Sequence, residues 1–451
     1  MAATRKTGLE KPLWVAAIAC LFCYSAVKLI VDGKFFWAAV PALPLLAYLV
    51  IRAPFIFPFG AYAFLIPFDS LLSVTGHETG STVTKILGIL TMLSLLLKGS
   101  FEKRFVRADK TVLCWTALSL YAVTSVLWAL DPEASLARIP TALGLLAFYL
   151  IVSSYQAEKK DWDSLKMALL LGGFFAAVLS IHAYFSGSVF MDSTRATLML
   201  GTRETNPNRL GLSMLIPIAL SIEMIFSGKK IDWKKPVYIL IMGTLLFCVI
   251  ISGSRGTMLA VGIIFAVYLL SSRRKFTLAL LLIGVSLPLV LFMLQPLLAR
   301  WRTAYSTGGA GRTYIWQEGV KAFKSFWLAG AGVDNFSAAQ IKFADYYPGF
   351  GAFSMGSHNT YLQFAVELGI VGFAILLWGF KRNYNLIRSD KNPDTGDRTM
   401  LTAAFVAMLG MIFFDDYFWE KSLWILWMMI MIYHNLPNTA RAEKKEKASR
   451  Q

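Results

Sequence analysis

The chain has 451 residues, of which 56% belong to the set AVILMFWYC and only 16% are charged, and its mean hydropathy is +0.57. A soluble globule has too much surface to cover with so few polar residues, whereas the apolar fraction could supply about a dozen spans of roughly 20 residues. A soluble enzyme, a nucleic-acid-binding protein and an outer-membrane barrel, whose strands alternate in short runs, are excluded.

Apolar runs fall at 13–31, 35–51, 54–69, 83–97, 111–130, 139–155, 167–186, 210–227, 237–252, 257–271, 277–296, 361–380, 400–415 and 420–434. They predict an all-α, polytopic transmembrane bundle of about 12 to 14 spans. Pro41, Pro44, Pro54, Pro58 and Pro67 begin or interrupt the second and third runs, which read as broken or re-entrant. The first run follows Arg5, Lys6 and Lys11 without a small-residue cleavage site, so it reads as an uncleaved span. The chain divides into transmembrane helices with short loops over 1–296, an external segment over 297–360, C-terminal transmembrane helices over 361–435 and a basic tail over 436–451. Cys20, Cys23, Cys114 and Cys248 all lie in apolar runs. The C-x-x-C pair lacks the polar partners of a zinc or redox site, so all four read as packing residues.

Lys and Arg outnumber Asp and Glu by 44 to 27, a net charge of +17. In a soluble protein this would raise nucleic-acid binding, but the distribution follows the positive-inside rule. Alternating from a cytoplasmic N-terminus, one set of junctions carries Lys98, Lys103, Arg104, Arg107 and Lys110, then Lys159, Lys160 and Lys166, then Lys229, Lys230, Lys234 and Lys235. Arg273, Arg274 and Lys275 follow, then Lys381, Arg382, Arg388, Lys391 and Arg398, and the tail adds Arg441, Lys444, Lys445, Lys447 and Arg450. Both termini are expected inside.

The opposite face holds loops at 70–82 and 187–209, the turn at 252–256, and the long segment from about residue 297 to residue 360. Within 313–326, Ile315, Val320, Phe323 and Phe326 are expected on one helical face and Gln317, Glu318, Lys321 and Lys324 away from it. This pattern predicts an amphipathic helix lying on the membrane or capping a cavity. This face is rich in arginine rather than lysine: Arg195, Arg203, Arg209, Arg255, Arg300, Arg302 and Arg312. Guanidinium binds phosphate bidentately and stays ionised, which points to an anionic, phosphate-bearing ligand. Headgroup contact or carboxylate pairing is the alternative for any single arginine. Arg255 carries the stronger signal, because it sits in I-S-G-S-R-G-T, a small-residue break between two apolar runs where a charge is costly.

Of the four histidines, His434 falls on the cytoplasmic side, His182 within an apolar run and His77 in a short outer loop. His358 stands where the external segment enters a helix. The helix N-terminus disfavours imidazolium, so His358 is expected neutral and able to act as a general base. H-E-x-x-H and Ser-His-Asp signatures are lacking, so neither a metal nor another cofactor is expected.

Five segments then occur in order: G-T-R-E-T-N-P-N-R-L-G at 201–211, S-G-S-R-G at 252–256, G-R-T-Y-I-W at 311–316, W-L-A-G-A-G-V-D-N-F at 327–336 and H-N-T-Y-L-Q-F-A-V-E-L-G-I-V-G at 358–372. Through them the C-terminal half resembles the bacterial O-antigen ligase/O-antigen polymerase superfamily of membrane glycosyltransferases; the N-terminal half is similar only in hydropathy. The resemblance implies a GT-C-like, metal-independent, inverting enzyme of the inner membrane that works at the periplasmic face. Its donor would be a glycan on undecaprenyl diphosphate. A ligase passes the glycan to lipid A–core oligosaccharide in lipopolysaccharide biosynthesis, and a polymerase to another lipid-linked repeat; the ligase is the preferred reading. Carried over by motif, Arg255 would hold the diphosphate and His358 would activate the acceptor hydroxyl. Arg195 and Arg312 would join the diphosphate site, with Arg203 able to replace Arg195. The remaining alternative, a transporter of lipid-linked glycan, would call for mid-membrane polar residues and an internal repeat.

Overall fold

The computed structural model describes residues 43–72, 82–192, 195–201, 203–226, 232–272, 275–295, 298–299, 302, 311–342, 356–389 and 395–437. The expectations for Cys20, Cys23, His77, Arg300 and both termini lie outside these residues. The fold is an all-α bundle whose described sheet is one short antiparallel hairpin, β1 (Met199–Leu200) paired with β2 (Arg203–Glu204). Eight helices among the described residues are long and apolar enough to cross a membrane, and Phe59–Phe68 and Arg255–Ser271 are shorter apolar helices.

In chain order, α1 is Leu43–Arg52, α2 Phe59–Leu65, α3 Val83–Phe101, α4 Thr111–Thr124, α5 Pro132–Ser153 and α6 Lys159–Phe185. After the hairpin come α7 (Pro207–Phe226), α8 (Lys235–Ser252), α9 (Arg255–Ser271) and α10 (Lys275–Phe292). The remainder is α11 (Arg312–Ser325), α12 (Phe336–Ile341), α13 (Thr360–Arg388), α14 (Thr395–Met411) and α15 (Lys421–Asn435). Two helices form the centre. In α7, 83% of the span is buried, and in α15 every residue from Ser422 to His434 is buried. A helix that is apolar on all sides is suited to the interior. α10 is the most apolar span yet only 11% buried, so its side chains face outward, where lipid is as good a solvent as protein.

Contacts separate the two ends of the bundle. At one end Arg104 pairs with Glu158, Arg382 with Asp109 at 2.7 Å, and Asn435 donates to the Ser153 carbonyl. Asp397, fully buried there, accepts from Lys166 (2.7 Å), Lys159 (3.0 Å) and the Trp162 indole (2.8 Å), which joins α6 to α14. Residues from the basic junctions at 98–110, 159–166 and 381–398 therefore meet at this end. The other end brings together Asp69, Thr84 and Lys421, then Arg195 and Ser252, then His358 and Asp415.

α13 breaks at Gly369, whose φ of 62° and ψ of −167° belong to a region open essentially to glycine. The 327–336 segment fills the break. Ile370 N–H donates to the Trp327 carbonyl at 2.7 Å, Ala331 N–H to Val366 and Gly332 N–H to Glu367, both at 2.9 Å. The Glu367 carboxylate accepts from Phe336 N–H and Gln363. A Cβ at 369 would stand 2.3 Å from the Leu328 carbonyl oxygen, and one at Gly330 2.2 Å from that of Glu367. The glycines of W-L-A-G-A-G and E-L-G thus let two backbones touch, and the same segment reaches α4 and α5 through Val333 N–H to Ser125 Oγ and Asn335 to Ser135 Oγ.

α11 confirms the amphipathic helix but not its expected faces. Ile315, Glu318, Gly319 and Ala322 are the buried residues, packed toward α13, whereas Val320 is 47% exposed. Lys321 Nζ, one turn along, meets the Glu318 carboxylate at 2.9 Å through Oε1, so a charge that hydropathy places outside is paired inside, while Oε2 has no hydrogen-bond partner among the described residues. Phe323 and Phe326 pack at the margin of that small core, as expected.

Two outcomes test this architecture. Gly369→Ala forces a side chain into a backbone region open essentially to glycine, at about 1–3 kcal/mol before any clash, and is expected to lower the melting temperature of detergent-purified protein by several degrees. Ile315→Asp is expected to destabilise the protein while Val320→Asp melts like wild type; the reverse order would mean that α11 packs by the hydropathy face.

Candidate functional site

The turn S-G-S-R-G is built to end one helix and begin another. Gly253, at φ 61°, caps α8, and Arg255 opens α9 immediately after Ser254. Arg312 likewise opens α11 after Gly311, at φ 81°. Both arginines therefore stand at helix N-termini, where the backbone adds positive potential. Arg195 is fixed by its own partners: its Nε donates to the Ser252 carbonyl at 3.0 Å and its guanidinium to Asn208 Oδ1 at 2.7 Å, with the Phe190 ring at 6.0 Å. Arg195, Asn208, Arg255 and Arg312 line one cavity of 100 Å³, closed on its apolar side by Met411 and Phe414. Among the described residues that line it there is no carboxylate, and three guanidiniums face a common space, an arrangement suited to an anion.

Arg203 is not brought there; it donates to the Leu71 carbonyl at 3.1 Å. Arg209 pairs with Glu420 at 3.1 Å, and Arg302 is exposed. His434 lies at the other end of the bundle beside Ser389, and His182 is an exposed residue of α6. Cys114 and Cys248 are buried and free.

His358 has a left-handed backbone, φ 46°, two residues before α13, which Asn359 caps by accepting from Leu362 N–H. Ser357 sets the approach: its carbonyl accepts the Trp316 indole at 3.0 Å, and its hydroxyl accepts Asn359 N–H. The imidazole Nδ1 lies 2.9 Å from Asp415 Oδ1. With a carboxylate on Nδ1, that nitrogen carries the proton and Nε2 is left for a substrate.

Asp415 organises its surroundings. Oδ1 also accepts Asp416 N–H, while Oδ2 accepts the Tyr417 hydroxyl at 2.7 Å and Asn208 Nδ2 at 3.1 Å. Its backbone carbonyl accepts Thr360 Oγ1 and N–H at the start of α13. A continuous path thus runs from His358 through Asp415 and Asn208 to Arg195 and the arginine cavity. Sequence reasoning passed over Asp415, Asp416 and Asn208. The available signal was a pair of acids, F-F-D-D-Y, where one apolar run gives way to the next.

The electrostatics run against the expected effect of the helix terminus. The hydrogen bond to Asp415, with its charge, raises the His358 pKa above the usual histidine value against the opposing effect of burial. The helix dipole is weaker here because His358 lies before the cap, and a carboxylate at 2.9 Å outweighs it. Burial pushes Asp415 up, but the bonds from His358, Asp416 and Tyr417 bring it below the usual carboxylate range. Asp416, desolvated and beside the Asp415 charge, is pushed up to about 6. The ligand-capable atoms of His358, Asp415 and Asp416 lie within 4.8 Å of one another, a spacing that a cation could also share.

Asp415→Asn removes the charge that stabilises the imidazolium, so the His358 titration followed by NMR is expected to move to lower pH. Stability follows the same sign. The pair's contribution is complete below the unfolded pKa of about 6.5 and is lost as pH rises through the raised folded value.

An O-antigen ligase family model matches residues 240–377, a stretch that contains Arg255, Arg312 and His358. The exopolysaccharide production protein ExoQ of Rhizobium meliloti (strain 1021) is 22% identical over 307 residues, which cover 62% of this chain and 67% of that protein. These similarities, with the helical, multi-pass architecture, support a relation to the O-antigen ligase/polymerase superfamily of membrane glycosyltransferases.

Proposed function

We propose that the protein is an O-antigen ligase, transferring a glycan from undecaprenyl diphosphate to lipid A–core oligosaccharide at the periplasmic face of the inner membrane. The observation that carries this reading is the path His358–Asp415–Asn208–Arg195, which couples a candidate base to a cavity of three arginines. The acceptor oxygen attacks the anomeric carbon and the bond to the diphosphate breaks, its electron pair leaving with the phosphate oxygen. Arg195, Arg255 and Arg312 stabilise that charge, work for which a bidentate guanidinium is suited. His358 Nε2 takes the acceptor proton, and Asp415 stabilises the imidazolium that results. Attack from the face opposite the leaving group inverts the anomeric centre. The segment 297–360 would cover the reacting groups, with α11 holding Ser357 through Trp316.

A polymerase using the same donor, with a second lipid-linked repeat as acceptor, is the second reading. It is favoured by the similarity to a protein named for exopolysaccharide production. The lipopolysaccharide pattern of a deletion strain separates them. Loss of long chains with polymerised lipid-linked glycan retained means ligase, and core carrying a single repeat means polymerase.

With purified protein and lipid-linked donor, His358→Ala is expected to lose about 10²–10⁴-fold in rate while still binding undecaprenyl diphosphate. Activity of the wild type is expected to fall as pH drops through the raised His358 pKa. Arg255→Ala should abolish transfer, and Arg255→Lys should restore little. Wild-type turnover by His358→Ala sinks the base, and loss of wild-type activity on chelation reassigns the His358–Asp415–Asp416 group to a cation.

A further inference from the structure

A larger cavity, of 320 Å³, takes no part in the transfer chemistry above. It opens where the ends of α2, α3, α5, α7 and α15 meet, and two of its lining residues are close in the chain to residues of the histidine site. Arg209, which lines it, follows Asn208, and Glu420, also in the lining, ends the loop that begins at Asp415. Its volume falls within the range of about 300–1,000 Å³ usual for small-molecule sites.

The lining differs in kind from the arginine cavity. Six of its seven charged residues form pairs, Lys421 with Asp69 at 2.5 Å, Arg138 with Asp334 at 2.7 Å and Arg209 with Glu420 at 3.1 Å, and the seventh, Lys85, is exposed to solvent. An anion would have to displace these carboxylates, and a lipid tail would leave paired charges against hydrocarbon. Paired groups still offer lone pairs and N–H donors to a neutral ligand that both gives and accepts hydrogen bonds. Ser70 and Thr205, whose hydroxyls meet at 2.9 Å, add more of the same. Trp419 supplies an aromatic wall. It is 8% exposed, and its indole Nε1–H has no partner among the described residues, a buried donor that calls for an acceptor.

We propose that this cavity holds a saccharide ring of a substrate of the transfer reaction, an inference that rests on the glycosyltransferase reading. Neutral hydroxyls are presented both by the donor sugar next to the diphosphate and by the sugar bearing the attacking oxygen. Kinetics separates the two sources.

The test uses the full-length protein in nanodiscs and two variants. Ala137→Trp fills the cavity from an exposed rim position, and Trp419→Phe keeps the ring but removes the N–H. The probes are undecaprenyl diphosphate without glycan, and a repeat-unit oligosaccharide released from the host's surface polysaccharide and followed by saturation-transfer NMR. Ala137→Trp is expected to bind undecaprenyl diphosphate like wild type yet lose oligosaccharide binding and transfer by roughly tenfold or more. Trp419→Phe is expected to lose roughly two- to tenfold of each, the worth of one hydrogen bond. A rise confined to the donor KM assigns the cavity to the donor sugar, and one confined to the acceptor KM to the acceptor sugar. Wild-type oligosaccharide binding in a stably folded Ala137→Trp overturns the proposal. If that variant melts early, wild-type binding by Trp419→Phe overturns it instead. Oligosaccharide binding that Ala137→Trp abolishes, in a wild type that transfers nothing, refutes the glycosyltransferase reading and leaves the saccharide site standing.

Discussion

The Asp415 carboxylate, held between His358 on one side and Asn208 and Tyr417 on the other, is the interaction on which the site end of the bundle depends. It is buried, and a buried carboxylate persists only when its lone pairs are met. Meeting them here recruits the residue before the cap of α13, the first turn of α7 and the loop into α15. Because Asn208 turns its own carbonyl oxygen to Arg195, the same carboxylate orients the arginine cavity at one remove. The imidazole, its tautomer and the nearest guanidinium are therefore set together.

Around this point the packing is of a kind only a membrane permits. α7 and α15 are surrounded by protein while the more apolar α10 lies outside, and no hydrophobic force ranks one position over the other once both are in lipid. Close contact and satisfied polar groups do the ranking instead. Asp397 with its two lysines locks α6 to α14 at the end remote from the site. Lys421 with Asp69 ties α15 to the chain around α2 and α3 at the site end.

The break in α13 explains a segment that carries no chemistry of its own. Three residues of W-L-A-G-A-G hydrogen-bond to the backbone exposed at Gly369, and Asn335 carries the connection across to α5. α11 and the start of α13 are thereby tied to the bundle, the one followed by the docked 327–336 segment and the other held by Trp316 on Ser357. His358 sits at the junction of these restraints, which holds its backbone in a left-handed conformation that a histidine adopts at some cost.

Much of this was legible beforehand. Composition alone required a helical membrane protein, because no globule of this size can clothe so much apolar surface. Lysine clusters marked one set of helix ends, and S-G-S-R-G and the histidine that opens H-N-T-Y-L singled out Arg255 and His358 as candidates, since a charge in a small-residue break and an imidazole at a helix start are local features. Hydropathy could not say that Glu318 faces inward and Val320 outward, because Lys321 neutralises the one and the surroundings of the other are set by neighbouring helices. Nor could it separate Arg195, turned to the cavity by Asn208, from Arg203, turned away to the Leu71 carbonyl. Asp415 lies 57 residues from His358 and 207 from Asn208 in the chain. A carboxylate shared across such separations is a property of helix packing, so only the tertiary structure decided which acid meets the histidine and which arginines meet one another.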